Sequence, residues 1–131
     1  MKEVLIIINA ILVGIILVTQ IVSYPLFCFV RNSDFTNYHR VYTYRISIVV
    51  LPFMLSELVL TIYTLVLNPS PIYLYTFLIL LFIWFSTFFI QVPIHNMISK
   101  SASRQLINKL VITNWLRTSL WSIKLSILIL L

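Results

Sequence analysis

From Val4 to Val30, and again from Ile72 to Ile98, the chain carries no Asp, Glu, Lys or Arg. A bilayer core about 30 Å thick is crossed by roughly 20 mainly apolar helical residues, so either stretch is long enough to span it. Two further runs, 35–67 and 105–131, are of similar length and interrupted by few charges. With 61% hydrophobic and 9% charged residues in 131, a water-soluble fold of this size could not hide its apolar surface, because small domains leave much of their area exposed. Low charge argues against disorder, and a single cysteine argues against a disulfide-stapled module. The expected fold is all-α: one integral membrane domain over 1–131, an antiparallel bundle of four transmembrane helices near 4–30, 35–67, 72–98 and 105–131.

The first run is too long, and too polar at its far end (Gln20, Ser23, Tyr24-Pro25), for a cleaved signal peptide, so it is expected to remain as a helix. Arg31-Asn32-Ser33-Asp34 has the residue types that cap a following helix. Asn68-Pro69-Ser70-Pro71 is an uncharged turn in which two prolines stop the helix, and Ser99 to Arg104 forms the last loop. The fourth helix is expected to end with the chain, leaving no soluble domain or tail. Pro52 and Pro93 are candidate kinks. Gly14 could allow close helix packing but lacks a second small residue four positions away.

Basic residues gather on one side. The first and third loops and the adjoining helix ends hold Arg31, Arg40, Arg45, Lys100, Arg104 and Lys109, against Lys2 opposite. The positive-inside rule then puts loops one and three in the cytoplasm of a cell-membrane protein, with both termini outside. The net charge of +6 is accordingly read as contact with anionic lipid headgroups, since no nucleic-acid motif accompanies it.

The few polar residues inside the apolar runs need partners, because each is costly in hydrocarbon. Gln20 and Tyr24 from the first helix, His39, Tyr42 and Arg45 from the second, Gln91, His95 and Asn96 from the third, and Asn114, Arg117 and Trp121 from the fourth fall in one half of the bundle. Asn114, Arg117, Trp121 and Lys124 share one helix face, Gln91 and His95 are one turn apart, and His39, Tyr42, Ile46, Phe53 and Glu57 share a face of the second helix. Facing side chains of a four-helix bundle build sites in this way, here a polar cavity open to the cytoplasmic interface.

Arg117 either snorkels to the headgroups or aims into the cavity as an oxyanion binder beside Asn114. Glu57 and Lys124 stand at comparable depth and form a candidate charge pair; a proton or cation site at Glu57 is the alternative. His39 and His95 are either structural or general acid/base groups. They belong to no His-x-x-x-His or Glu-x-x-His pair, so no metal ligand set is expected, although bis-histidine haem ligation stays geometrically open. Cys28 has no partner, and the run Phe77, Phe82, Trp84, Phe85, Phe88 and Phe89 reads as lipid-facing or core filler, with inward rings suited to a flat ligand.

Gln91-Val92-Pro93-Ile94-His95-Asn96 followed by Asn114-Trp115-Leu116-Arg117-Thr118 resembles the C-terminal half of the anthrone-oxygenase-like family of small four-helix membrane proteins. In that family a Pro-x-(Asn or His) end of the third helix precedes an (Asn or His)-x-x-Arg-Thr element in the fourth. The first two helices share only Tyr24-Pro25 and the region from His39 to Arg45. The resemblance implies a membrane-embedded protein, some relatives of which oxidise polycyclic phenolic anthrones to quinones with molecular oxygen and no evident tightly bound cofactor. It carries Pro93, His95, Asn96, Asn114, Arg117 and Thr118 over as site residues.

The function expected is therefore an oxidoreductase-like, cofactor-independent enzyme acting on a small lipophilic phenol or quinone. His95, His39, Arg117 and Asn114 would be its catalytic residues, and Gln91, Asn96, Tyr24, Tyr42 and Trp121 would bind the ligand. The alternatives are a non-enzymatic carrier of lipophilic ligands, an accessory subunit of a larger membrane complex, or a bis-histidine haem protein; membrane lipid, a small lipophilic ligand and a homo- or hetero-oligomer are the candidate partners. A small multidrug-type transporter is disfavoured because its membrane glutamate would be expected in the first helix, whereas Glu57 is in the second.

Overall fold

The computed structural model describes residues 1–131 and contains four long helical segments: α1 (Lys2–Phe29), α2 (Asn32–Leu67), α3 (Pro71–Lys100) and α4 (Arg104–Leu130). Three of them, α1 to α3, are long and apolar enough to cross a membrane. The turns are shorter than the sequence suggested. Ser99 and Lys100 belong to α3, and only Ser101 to Ser103 separate it from α4.

Two helix starts follow side-chain chemistry. Ser70 Oγ accepts the Tyr73 N–H at 3.4 Å with Pro71 in the first helical position, and Ser103 Oγ accepts the Leu106 N–H at 3.1 Å. These contacts satisfy donors that a helix leaves free at its N-terminus. The start of α2 differs from expectation. Arg31 occupies the cap position without a side-chain bond, and Asp34 lies inside the first turn, where its charge complements the helix dipole.

Each helix lies against its chain neighbours, and α4 closes the set by packing on both α1 and α3. The burial pattern is inverted relative to a water-soluble protein. Of 29 buried residues, 14 are polar or charged, while Ile7, Val18, Tyr44, Val59, Phe82, Phe89 and Ile112 stand among many exposed large hydrophobic residues. The polar atoms of this molecule are thus turned inward and its apolar atoms outward, the partition that a hydrocarbon surround demands. Gly14 faces open space and mediates no close helix approach. Cys28 is exposed and unpaired.

Two wide turns shape the interior. In α1 the Tyr24 N–H reaches back five residues to the Thr19 carbonyl, and in α3 the Val92 N–H does the same to Thr87. In each case a proline, Pro25 or Pro93, comes next. Proline has no N–H to give and its ring crowds the carbonyl four residues earlier. Widening the preceding turn to π geometry relieves that crowding, and such turns recur at functional sites. Pro52, by contrast, leaves α2 an uninterrupted α-helix.

Candidate functional site

The π turns border a cavity of about 330 Å³ enclosed by all four helices. Leu12, Ile16, Val50, Met54 and Phe88 make much of its wall apolar; Tyr24, Gln91, His95, Arg117 and Trp121 also line it. Its exposed lining residues, Leu51, Phe88, Val92 and Asn96, all belong to α2 or α3. The cavity therefore opens sideways between those two helices, through a mouth that is mainly apolar. Asn96 is at this rim, exposed and without a side-chain hydrogen bond, because one residue beyond His95 turns it about 100° around the helix.

Arg117 sits halfway along α4 with only 8% of its surface exposed. Its Nε donates to Asn114 Oδ1 at 3.0 Å, its Nη2 donates to the same oxygen, and its Nη1 reaches Thr87 Oγ1 at 3.4 Å. Its guanidinium also lies beside the Tyr24 phenol. No carboxylate neutralises it. The chain has three acids, and the single ion pair is Glu57 with Lys124. Arg117 is thus turned into the interior and does not snorkel. Asn114 does not itself line the cavity but holds the guanidinium in place.

Asn114 is fixed in turn by Gln20. Asn114 Nδ2 donates to Gln20 Oε1 at 2.8 Å, Thr118 Oγ1 approaches the same oxygen at 3.3 Å, and Gln20 Nε2 donates to the Val111 carbonyl at 2.9 Å. From the opposite side Gln91 Nε2 donates to Thr113 Oγ1 at 3.0 Å, while Gln91 Oε1 is buried with no partner.

The two histidines meet. His39 Nε2 and His95 Nδ1 are 2.9 Å apart, His95 Nε2 is 3.0 Å from the Tyr24 hydroxyl, and His39 Nδ1 is 3.0 Å from Ser99 Oγ, which donates to the His95 carbonyl at 3.0 Å. Phe35 stacks on His39 and Phe27 meets it edge-on. His39 is fully buried and does not reach the cavity. His95 lines the cavity with both ring nitrogens engaged, and the Tyr24 hydroxyl that it bonds stands at the same wall. The bis-histidine haem arrangement does not fit this pair, since nitrogens in mutual hydrogen bonding leave no room for a macrocycle between the rings. No cluster of three or more His, Cys, Asp or Glu side chains is present.

Tyr42 packs edge-on against Phe27 and Tyr24, with its hydroxyl buried and unpartnered, outside this cavity. Arg45 is exposed and apart from the site. The charge pair forms as expected. Lys124 Nζ is 2.7 Å from Glu57 Oε1 and 3.2 Å from Thr61 Oγ1, and Trp121 Nε1 donates to Glu57 Oε2 at 3.1 Å, all buried. Trp121 therefore spends its N–H on Glu57 and offers the cavity only ring carbons. Thr87, Thr113, Ser99 and Thr61 take part in these networks although the sequence did not single them out. Of these only Thr87 carried a signal, its position: like Thr19 it stands six residues before a proline, and the two bond back to the carbonyls of Ile83 and Ile15.

No protein-family model matches this chain, and no curated protein and no solved structure matches it.

Proposed function

We propose that this chain is an integral membrane protein crossing the bilayer four times, which draws a small lipophilic phenol, or the enol of a ring ketone, out of the hydrocarbon and binds it as an oxyanion. The observation that carries this reading is Arg117, a buried cation with no acid partner on the wall of an apolar cavity. An unpaired buried charge costs several kcal/mol, and an anionic ligand offsets that cost. The sideways opening favours a ligand that arrives through lipid, and the volume is at the lower end of the range for small-molecule sites. The fourth crossing is α4, whose polar stripe from Asn114 to Lys124 faces its neighbours while Ile112, Leu116 and Ile123 face out. The basic residues of the first and third turns put that side in the cytoplasm.

Arg117 and Asn114 then form the preorganised electrostatic element that lowers the energy of a developing oxyanion, usually the largest single contribution in such chemistry. The resemblance to the anthrone-oxygenase-like family supports reading the reaction as oxidation of the bound anion by molecular oxygen. With anthrone, one O₂ gives one anthraquinone and one water. The test uses purified protein in lipid nanodiscs with anthrone under air. Anthraquinone formation and oxygen uptake in equal amounts, lost in Arg117→Met, support the reading. Anthrone bound through Arg117 but unconverted reduces it to a carrier, and failure of anthrone to bind overturns it.

A further inference from the structure

We infer that Tyr24, His95, His39 and Ser99 form a neutral proton relay that carries the ligand's hydroxyl proton from Tyr24 to Ser99, at the end of the cavity beside the third turn. The inference deepens the reading above, because it supplies the route for the proton that the oxyanion must lose. It rests on four contacts. Tyr24 lines the cavity, His95 bonds it, His39 bonds His95, and Ser99 bonds His39 one residue from the end of α3 at Lys100.

With both imidazoles neutral, one assignment of hydrogens satisfies every contact. Ser99 has a single proton, and it goes to the His95 carbonyl. Ser99 Oγ must then accept from His39 Nδ1–H. A neutral imidazole with a proton on Nδ1 accepts at Nε2, so His39 Nε2 accepts from His95 Nδ1–H. By the same rule His95 Nε2 accepts from the Tyr24 hydroxyl. The hydrogens therefore all point from Tyr24 toward Ser99. An imidazolium at His39 would also satisfy the contacts, but it would add a second unpaired cation to an interior that already holds Arg117.

The step balances without charging any member of the chain. The ligand O–H gives its proton to the Tyr24 oxygen as Tyr24 gives its own to His95 Nε2. His95 passes the Nδ1 proton to His39 Nε2, and His39 passes its Nδ1 proton to Ser99 Oγ. Ser99, half-buried at the end of α3, turns its original O–H away from the His95 carbonyl and releases that proton to interfacial water. Every bond in the chain is now reversed. Tyr24 consequently becomes a donor toward the ligand, so the oxyanion gains a hydrogen bond from Tyr24 as well as the charge of Arg117. In this scheme His39 and Ser99 are positioning residues, acting through His95 and Tyr24.

The test needs no ligand. Ring-¹⁵N-histidine protein in lipid bilayers is examined by solid-state NMR, first for tautomer and then for exchange of the His95 ring proton with D₂O. The expected result is Nδ1–H at both rings, with exchange slowed about tenfold in Ser99→Ala, as for loss of one hydrogen-bonding link, and restored in Ser99→Thr. An Nε2–H tautomer at either ring, an imidazolium, or exchange unaffected by Ser99→Ala overturns the relay. Because these readouts are taken without ligand, the relay can stand while anthrone fails to bind, or fall while it binds.

Discussion

Arg117 and Lys124 are two buried cations seven residues apart on α4, and removing their charges has different consequences. Lys124 has a carboxylate 2.7 Å away; Arg117 has an amide oxygen, a distant hydroxyl and the Tyr24 phenol beside it, but no acid. Lys124→Met strands Glu57 with Trp121 as its single donor, and breaking a buried pair in this way costs about 3–5 kcal/mol. Arg117→Met instead removes a charge whose placement mid-helix costs about 2.5–3.5 kcal/mol. Against that gain stands the orphaned Asn114 Oδ1, about 1–3 kcal/mol. The two largely offset each other, so Arg117→Met should change stability by no more than about 2.5 kcal/mol. Equilibrium unfolding in mixed micelles, followed by tryptophan fluorescence, measures both variants. Adding 2-naphthol as an oxyanion-forming probe sharpens the comparison. At a hundred times its Kd it should stabilise the wild type by about 2.7 kcal/mol and leave Arg117→Met unmoved. If Arg117→Met proves as damaging as Lys124→Met, Arg117 is structural and the argument from an unpaired cation fails.

The Glu57→Met/Lys124→Met double variant should unfold only about 1–3 kcal/mol more easily than the wild type, mainly because Trp121 Nε1 loses its acceptor, whereas each single variant loses about 3–5 kcal/mol. An additive cycle would show that the pair contributes nothing as a pair. In a Cys28→Ser background, a membrane-impermeant maleimide applied to intact cells should label Pro69→Cys and spare Ser101→Cys; the opposite pattern reverses the orientation.

The helices were legible because an apolar run bounded by prolines and serines has few other readings in lipid, and the boundaries moved by only a few residues. Within one helix, spacing also worked, as the Arg117–Asn114 contact at i, i−3 shows. The Glu57–Lys124 pair was legible from depth alone, since two opposite charges at one level have a strong reason to meet. Contacts that depend on the rotation of one helix against another were not legible. Spacing put His39 and His95 in one layer but could not tell that they bond to each other, that Ser99 completes the chain, or that Asn96 turns outward. Thr87 and Thr113 carry no signal of their bonds to other helices, because a threonine in an apolar helix bonds its own backbone equally well.

The two π turns explain how a guanidinium is held in an apolar cavity without an acid. α1 and α3 flank α4, and each brings a glutamine from its wide turn to the same stretch of that helix. Gln20 takes the Val111 carbonyl and Asn114, and Gln91 takes Thr113, while Thr87 from the second turn reaches Arg117 itself. A regular helix at either place would bring the following residues round by a different angle, because the extra residue in a π turn shifts the register of all that comes after it. The same shift delivers Tyr24 and His95, which follow the turns at Thr19–Ser23 and Thr87–Gln91, to one hydrogen bond at the cavity wall. Each wide turn ends one residue before a proline, at Tyr24-Pro25 and Val92-Pro93. The turns fix α4 in rotation and set the cation beside the Tyr24–His95 hydrogen bond, so the arrangement rests on these two turns as much as on Arg117.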